Sequence, residues 1–319
     1  MCISSMEVTT GYRYNASKKG NLTQGGQANS ASTRLSWKPV TMYLPARFLP
    51  LLLCALTKLL PAQLPFYTDD PSVTERGKWH FEFFNEFDAL QHPLYPNLRQ
   101  NTASYKLNYG LPYNLELDVD APYLGIFRAP GTPTSTGVGD TNLGVKWEFH
   151  KESKTSRLPA LGVSLYIEFP TGDNQQRLGS GLTDYWLNWI VQKSLSDKTR
   201  INGNIGFLFA GNTSTGVLGI QTTRGHVYTG GLSVLHDFNA RLTLGGEISG
   251  GLTNNADLGK SQVQFMLGGQ YGIRKGMTFD FGLLGGKYLA SPRIGGQIGF
   301  SVDFPDILHP TGPRQSSAH

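Results

Sequence analysis

Residues Tyr113–Ala121, YNLELDVDA, decide the fold. Tyr113, Leu115, Leu117, Val119 and Ala121 share one parity; Asn114, Glu116, Asp118 and Asp120 share the other. Successive side chains on a strand point to opposite faces, so this stretch makes a strand with one apolar and one acidic face. A helix would mix the two sets around its circumference. The same period of two recurs on both sides. In 79–89, Trp79, Phe81, Phe83 and Phe87 oppose His80, Glu82, Glu86 and Asp88. In 142–149, Leu143, Val145, Trp147 and Phe149 oppose Asn142, Gly144, Lys146 and Glu148. In 161–169, an apolar set from Leu161 to Phe169 opposes Gly162, Ser164, Tyr166 and Glu168. Further alternating windows lie at 103–111, 183–193, 200–210, 226–236, 241–252, 262–273, 277–287 and 293–304.

Soluble sandwiches also alternate, so length decides. These windows run about nine to thirteen residues, whereas soluble strands average about 5–6 and a tilted strand crossing a bilayer needs about 9–11. Their even number, about twelve, suits a closed barrel. Closure is required in hydrocarbon, because an open edge leaves backbone donors and acceptors unpaired. The connections give a second signal. Those at 90–102, 122–140, 170–182, 211–225 and 253–261 are long. Those at 111–112, 150–160, 195–199, 237–240 and 274–276 are shorter, and 288–292 breaks the trend. Short periplasmic turns and long outer loops are the habit of outer-membrane barrels. The expectation is therefore an all-β, closed antiparallel transmembrane β-barrel of about 12 strands over 79–304, with both termini periplasmic. Residues 64–78 are expected as a periplasmic N-terminal segment and 305–319 as a C-terminal tail. Trp79, Tyr113, Tyr123, Trp147, Phe169, Tyr185, Trp189, Tyr271 and Tyr288 could form interfacial girdles against outer-membrane lipid.

The start of the chain reads separately. Residues 1–41 are polar and aperiodic, as expected of a disordered extension upstream of the true start. Met42 then opens MYLPARFLPLLLCALTKLLPAQ, residues 42–63. Arg47 precedes an apolar run, Phe48–Leu56, too short to span a bilayer as a helix. This is the layout of a secretory signal peptide, implying export to the outer membrane of a Gram-negative-type cell. The formal charge of +5 belongs to this region. Residues 1–63 hold seven of the 28 Lys and Arg but one of the 23 acids, so the rest carries −1. A nucleic-acid partner is thereby disfavoured. Both cysteines, Cys2 and Cys54, also lie there, leaving no thiol site in the barrel.

No enzyme is expected. Gly137–Asp140 lacks the Lys-Ser/Thr of a phosphate loop and reads as a turn. Pro170–Asp173 has turn residues in turn order. The seven histidines show no zinc spacing, and His226 does not share a face with Ser233 or Thr229 in triad geometry. No catalytic residue, metal or cofactor is assigned. The inward parity is more informative. It presents Glu82, Glu86, Asp88, Glu116, Asp118, Asp120 and Glu168 against the basic partners Lys106 and Lys146. Asp88, Asp118, Asp120, Asp140, Glu168 and Asp184 are expected toward the extracellular mouth. Clustered acids in a narrow lumen would concentrate cations; alternatively Arg128, Arg177 or Arg224 from folded-in loops would balance them. In the last five strands Gly245, Ser249, Gly268, Gly272, Gly282, Gly286, Gly295 and Gly299 leave space along one wall, for a plug, a cavity or an open channel.

The runs TDDPSVTERGKWHFEF (68–83), NYGLPYNLELDVDAPYLG (108–125), GVGDTNLGVKWEF (137–149), EFPTGD (168–173) and LTLGGEISGG (242–251) carry a resemblance. Over roughly 66–304 the chain resembles the family of outer-membrane transporters of the meta-pathway of phenol degradation. The resemblance implies passive uptake or efflux of small-molecule solutes, including hydrophobic or aromatic compounds. A non-conducting structural or surface-binding barrel stands as the alternative, and an outer-membrane enzyme ranks behind both. Gln297, Gly299, Val302 and Phe304 resemble the terminal signal read by the outer-membrane barrel assembly machinery, although the 15-residue tail departs from barrels that stop at the terminal aromatic.

Overall fold

The inner and outer parities of the sequence become the two faces of one sheet in the computed structural model, which describes residues 65–153, 157–210, 225–253 and 261–304. Among these residues the strands are β1 (Trp79–Ala89), β2 (Asn97–Leu111), β3 (Leu115–Arg128), β4 (Ser135–Val138), β5 (Thr141–His150), β6 (Ala160–Phe169), β7 (Asp184–Ser194), β8 (Thr199–Ala210), β9 (Gly225–Asp237), β10 (Leu242–Leu252), β11 (Ser261–Arg274), β12 (Met277–Lys287) and β13 (Ile294–Phe304). Neighbours pair antiparallel in chain order, and β1 closes on β13 from Trp79↔Phe304 to Ala89↔Ile294. β4 is the exception. It is a short strand lying against the far half of β3. The result is a closed barrel of twelve strands, ten to fifteen residues each, with β4 appended.

On β5, Leu143, Val145, Trp147 and Phe149 are all well exposed on the outside, while Lys146 is fully buried inside. The outward apolar residues continue around the ring, through Leu165, Leu187, Ile205, Leu232, Ile248, Leu267, Leu283 and Ile298. A continuous apolar outer surface around a polar interior is what a bilayer solvates. No helix among the described residues is long and apolar enough to cross a membrane.

Three boundaries differ from expectation. β2 begins at Asn97 rather than 103, and β3 runs on to Arg128, so the first and third connections are shorter than 90–102 and 122–140. Asn97–Thr102 (NLRQNT) has Leu98 as its one apolar residue, which hides a strand whose partner, not its pattern, holds it: Gln100 pairs with Ile126 and Thr102 with Leu124. β4 lies inside what reads as a loop. Tyr113 is no strand residue; with Asn114 it forms the turn, at φ 64° and 56°, the primed geometry that joins twisted strands. The parity of connections otherwise holds: 112–114, 195–198, 238–241 and 275–276 are short and lie at one end, though 151–159 is longer. The expectations for 1–41, 42–63 and 305–319 fall outside the described residues.

The segment ahead of β1 is the main departure. Residues 65–74, expected as part of a periplasmic segment, run inside the barrel, and 76–77 pair with Gly110 beside the 112–114 turn. Phe66 packs on the inward Leu235, Met266 and Leu284. Gly245 makes room for it: a Cβ there would stand 3.2 Å from the Phe66 ring. Part of the space expected along the glycine wall is thus filled by the chain itself.

Candidate functional site: the barrel lumen

The inner wall is built from strand register. Glu82, Lys106, Asp120, Asn142, Glu168 and Asp184 are consecutive cross-strand partners on β1, β2, β3, β5, β6 and β7. They form one inward row carrying four carboxylates and one ammonium. The neighbouring row places Asp118 opposite Gly144, Gly144 opposite Tyr166, and Tyr166 opposite Trp186. Every acid and both lysines assigned to the inward face therefore face inward.

Their height needs correction. β3 continues eight residues past Asp120, so Asp118 and Asp120 sit in mid-strand rather than at the mouth. Asp88, Asp140, Glu168 and Asp184 do lie at the strand ends on the long-loop side. Lys146 Nζ is 3.3 Å from Glu116 Oε1 and 3.4 Å from Asp69 Oδ1. Lys106 faces Glu82 on one side and Asp120 on the other. Arg128 does not balance the acids: its Nε donates to Asn97 Oδ1 at 2.8 Å and its Nη1 to the Pro133 carbonyl at 2.9 Å. Arg224 lies outside the described residues.

Several of the acids hold the luminal segment. Tyr67 Oη donates to Glu86 Oε2. The Thr68 N–H donates to Glu247 Oε2 at 2.5 Å, and the Thr74 N–H to Glu116 Oε2 at 2.5 Å. The Asn204 side-chain amide, oriented to suit its neighbours, donates to the Asp69 carbonyl at 3.0 Å and accepts from the Asp69 N–H at 3.1 Å. β1, β3, β8 and β10 thus all grip residues 67–74. None of these partners was legible, because FYTDDPSVTERG has no period and nothing in it marks a path through a barrel.

At the mouth, the 170–183 connection folds inward. Leu178 is buried against the inward Leu124 and Ile126. Asp140 fixes the loop by accepting from the Gly172 N–H at 2.9 Å and the Ser180 N–H at 2.8 Å. Burial raises the Asp140 carboxyl from its ordinary value, opposed by these two N–H groups.

Between the segment and the wall lies a cavity of about 320 Å³, near the lower end of the roughly 300–1,000 Å³ of small-molecule pockets. Nine acids line it against one basic residue, Lys106. Its apolar lining includes Phe66, Leu124, Trp186 and Leu208, with Tyr166 beside Trp186. Trp186 was missed in the sequence because Tyr185 and Trp189, which do face outward, drew the aromatic signal. The Tyr166 ring lies across Gly144 and its hydroxyl donates to Asp118 Oδ2 at 2.6 Å. A Cβ on Gly144 would stand 2.1 Å from that ring. Gly144→Val is therefore expected to destabilise the barrel by about 1–3 kcal/mol through overpacking. Adding Tyr166→Ala should restore most of the loss in thermal unfolding of the detergent-solubilised protein. An unchanged midpoint in the single variant would refute the contact.

Residues 97–304 match the family described as "Putative MetA-pathway of phenol degradation". The chain belongs to this family. The match begins at the first residue of β2 and ends at the last of β13, so it covers all of the barrel but β1. Among curated proteins none matches. An outer-membrane channel from Pseudomonas putida F1, known from a crystal structure, is similar over 74% of this chain and 98% of its own, at 13% identity and a TM-score of 0.57. The NanC porin is similar over 70% of this chain and 98% of its own, at 11% identity and a TM-score of 0.48. At such identities the likeness concerns the fold, and the fold of this member of the phenol-degradation family is that of outer-membrane barrels.

Proposed function

We propose that the chain is a passive outer-membrane channel for small molecules, including hydrophobic or aromatic compounds, exported by the signal peptide at 42–63. The observation that carries this reading is the cavity inside a closed barrel, with charged and aromatic walls, at the scale of a small organic solute. Membership in the phenol-degradation family and the shared fold of an outer-membrane channel support it. Assembly would proceed through the outer-membrane barrel machinery acting on Gln297, Gly299, Val302 and Phe304, since β13 is the strand that seals the ring against β1.

The acids Glu82, Glu86, Asp88, Glu116, Asp118, Asp120 and Glu168, less those held by Lys106 and Lys146, bias the lumen toward cations. In planar bilayers with a salt gradient, the reversal potential is expected to report cation over anion permeability. Glu168→Gln with Asp184→Asn should lower that ratio. Anion preference would overturn the acidic-lumen reading. A second reading, a barrel that does not conduct, is favoured by the hold on residues 65–74. Its mark is the absence of any current in the same experiment.

A further inference from the structure

The outward rim of β12, β13, β1 and β2 carries a cluster of positive charge at the long-loop end. Arg99 on β2 stands between the outward Ala89 of β1 and Phe127 of β3. Arg293, one residue before β13, donates its backbone N–H to the Ala89 carbonyl at 2.8 Å. The two arginines therefore flank Ala89 from opposite sides. Lys287, the last residue of β12, is opposite the outward Val263, and its Nζ lies 5.8 Å from the centre of the Tyr288 ring. All three bases are exposed. Arg293 Nη1 also donates to His92 Nε2 at 2.5 Å, which fixes the arginine at the rim.

No acid stands with them on this face. The acids of β1, β12 and β13 are Glu82, Glu86, Asp88, Asp280 and Asp303, all on the inward parity, and β2 has none. Below the bases the same face is apolar: Phe87, Tyr105, Leu283, Ile294 and Ile298 are all well exposed. Positive charge at the rim above an apolar wall matches a lipid with an anionic head, since Arg and Lys hold phosphate and the wall solvates acyl chains. The spread of the charges chooses among such lipids. Arg99 on β2 and Lys287 on β12 are three strand spacings apart, roughly 14 Å at ~4.8 Å each. A single phosphate does not reach across that distance, whereas two phosphates held apart by sugars do.

We propose that this rim docks a bisphosphorylated glycolipid of the outer leaflet, its phosphates on Arg99, Arg293 and Lys287 and its acyl chains along the wall below. The proposal rests on the reading of the chain as an outer-membrane barrel with its long connections outside. The test is native mass spectrometry of the delipidated full chain in detergent, supplied with bisphosphorylated lipid A, its monophosphorylated form or phosphatidylglycerol. Retention of the bisphosphorylated lipid is expected, with several-fold less of the monophosphorylated form and at least about tenfold less phosphatidylglycerol. Arg99→Gln with Lys287→Gln and Arg293→Gln should lower lipid A retention about tenfold. Arg241→Gln with Lys275→Gln, exposed bases of the short-turn end, should leave it unchanged. Surface substitutions of this kind rarely disturb stability, and heat-modifiable migration on gels will show that both variants fold. Equal retention of phosphatidylglycerol and lipid A, an unaltered triple variant, or an equal loss in the short-turn variant would overturn the proposal. Orientation is read separately, by an impermeant maleimide on intact cells expressing Gln175→Cys with Cys2 and Cys54 changed to Ser; Gln175 is exposed in the 170–183 connection. Absence of label would overturn the orientation and the proposal with it, and label without lipid retention would overturn the proposal alone. A barrel that retains lipid A but passes no current would overturn the channel and leave the docking site standing.

Discussion

Lys146→Met is expected to destabilise the barrel by about 3–5 kcal/mol, the cost of removing one partner from a buried charge pair. Lys146 is fully buried, and its ammonium is placed between Glu116 of β3 and Asp69 of the luminal segment. Glu116 is itself 2% exposed and also accepts the Thr74 N–H. Met fills the same volume but supplies no charge, so the Glu116 carboxylate would stay buried against Asp118 and Asp69 with its main counter-ion gone. The expected reading is a lower urea midpoint for refolding into lipid vesicles. Lys146→Met with Glu116→Gln should recover most of the loss, because charge and counter-charge leave together. A single variant as stable as the parent would show that Lys146 only fills space. A double variant no better than the single would place the effect elsewhere.

The sequence carried the wall of this site better than its contents. Strand parity is forced once one face meets lipid, since a slip of one residue would turn Leu143 and Val145 inward and Lys146 outward. Glu116, Lys146 and Glu168 could therefore be placed inside with no knowledge of the fold's closure. Register between strands is not written in parity. That Glu168 meets Asp184, and Tyr166 meets Trp186, depends on the tilt that closes twelve strands. The Asn97–Thr102 extension of β2 and the four-residue β4 carry one large apolar residue each, Leu98 and Val138, too few for a period of two to show. The luminal segment was illegible for a related reason. Residues 65–74 make no strand of their own, and their backbone groups are satisfied by side chains of β3, β8 and β10 scattered from Glu116 to Glu247. The glycine wall was readable as space, and Phe66 is what occupies part of it.

The largest functional effect is expected from Phe66→Asp. Phe66 is the apolar anchor of the luminal segment, packed on Leu235, Met266 and Leu284. Losing a buried Phe costs about 3–5 kcal/mol, and a carboxylate in that patch costs more. Even about 3 kcal/mol shifts the ratio of held to released Phe66 end by more than a hundredfold. Tyr67, Thr68, Asp69 and Thr74 stay bonded to Glu86, Glu247, Asn204 and Glu116, so it is the Phe66 end of the segment, ahead of these bonds, that the substitution frees. The variant is therefore expected to show larger open-state conductance than the parent in planar bilayers. A reversible tether makes the cause plain. A Cβ on Gly231 would lie 3.4 Å from Thr68 Cβ, close to the roughly 3.5–4.5 Å that a disulfide spans. In a chain with Cys2 and Cys54 changed to Ser, the pair Thr68→Cys and Gly231→Cys should hold the segment in place from residue 68 onward when oxidised. Phe66→Asp would then raise conductance under oxidation and reduction alike, and a rise confined to the reduced form would show that the whole segment leaves. If Phe66→Asp conducts like the parent before any tether is made, the Phe66 end is no obstruction and current passes beside it through the acidic row from Glu82 to Asp184.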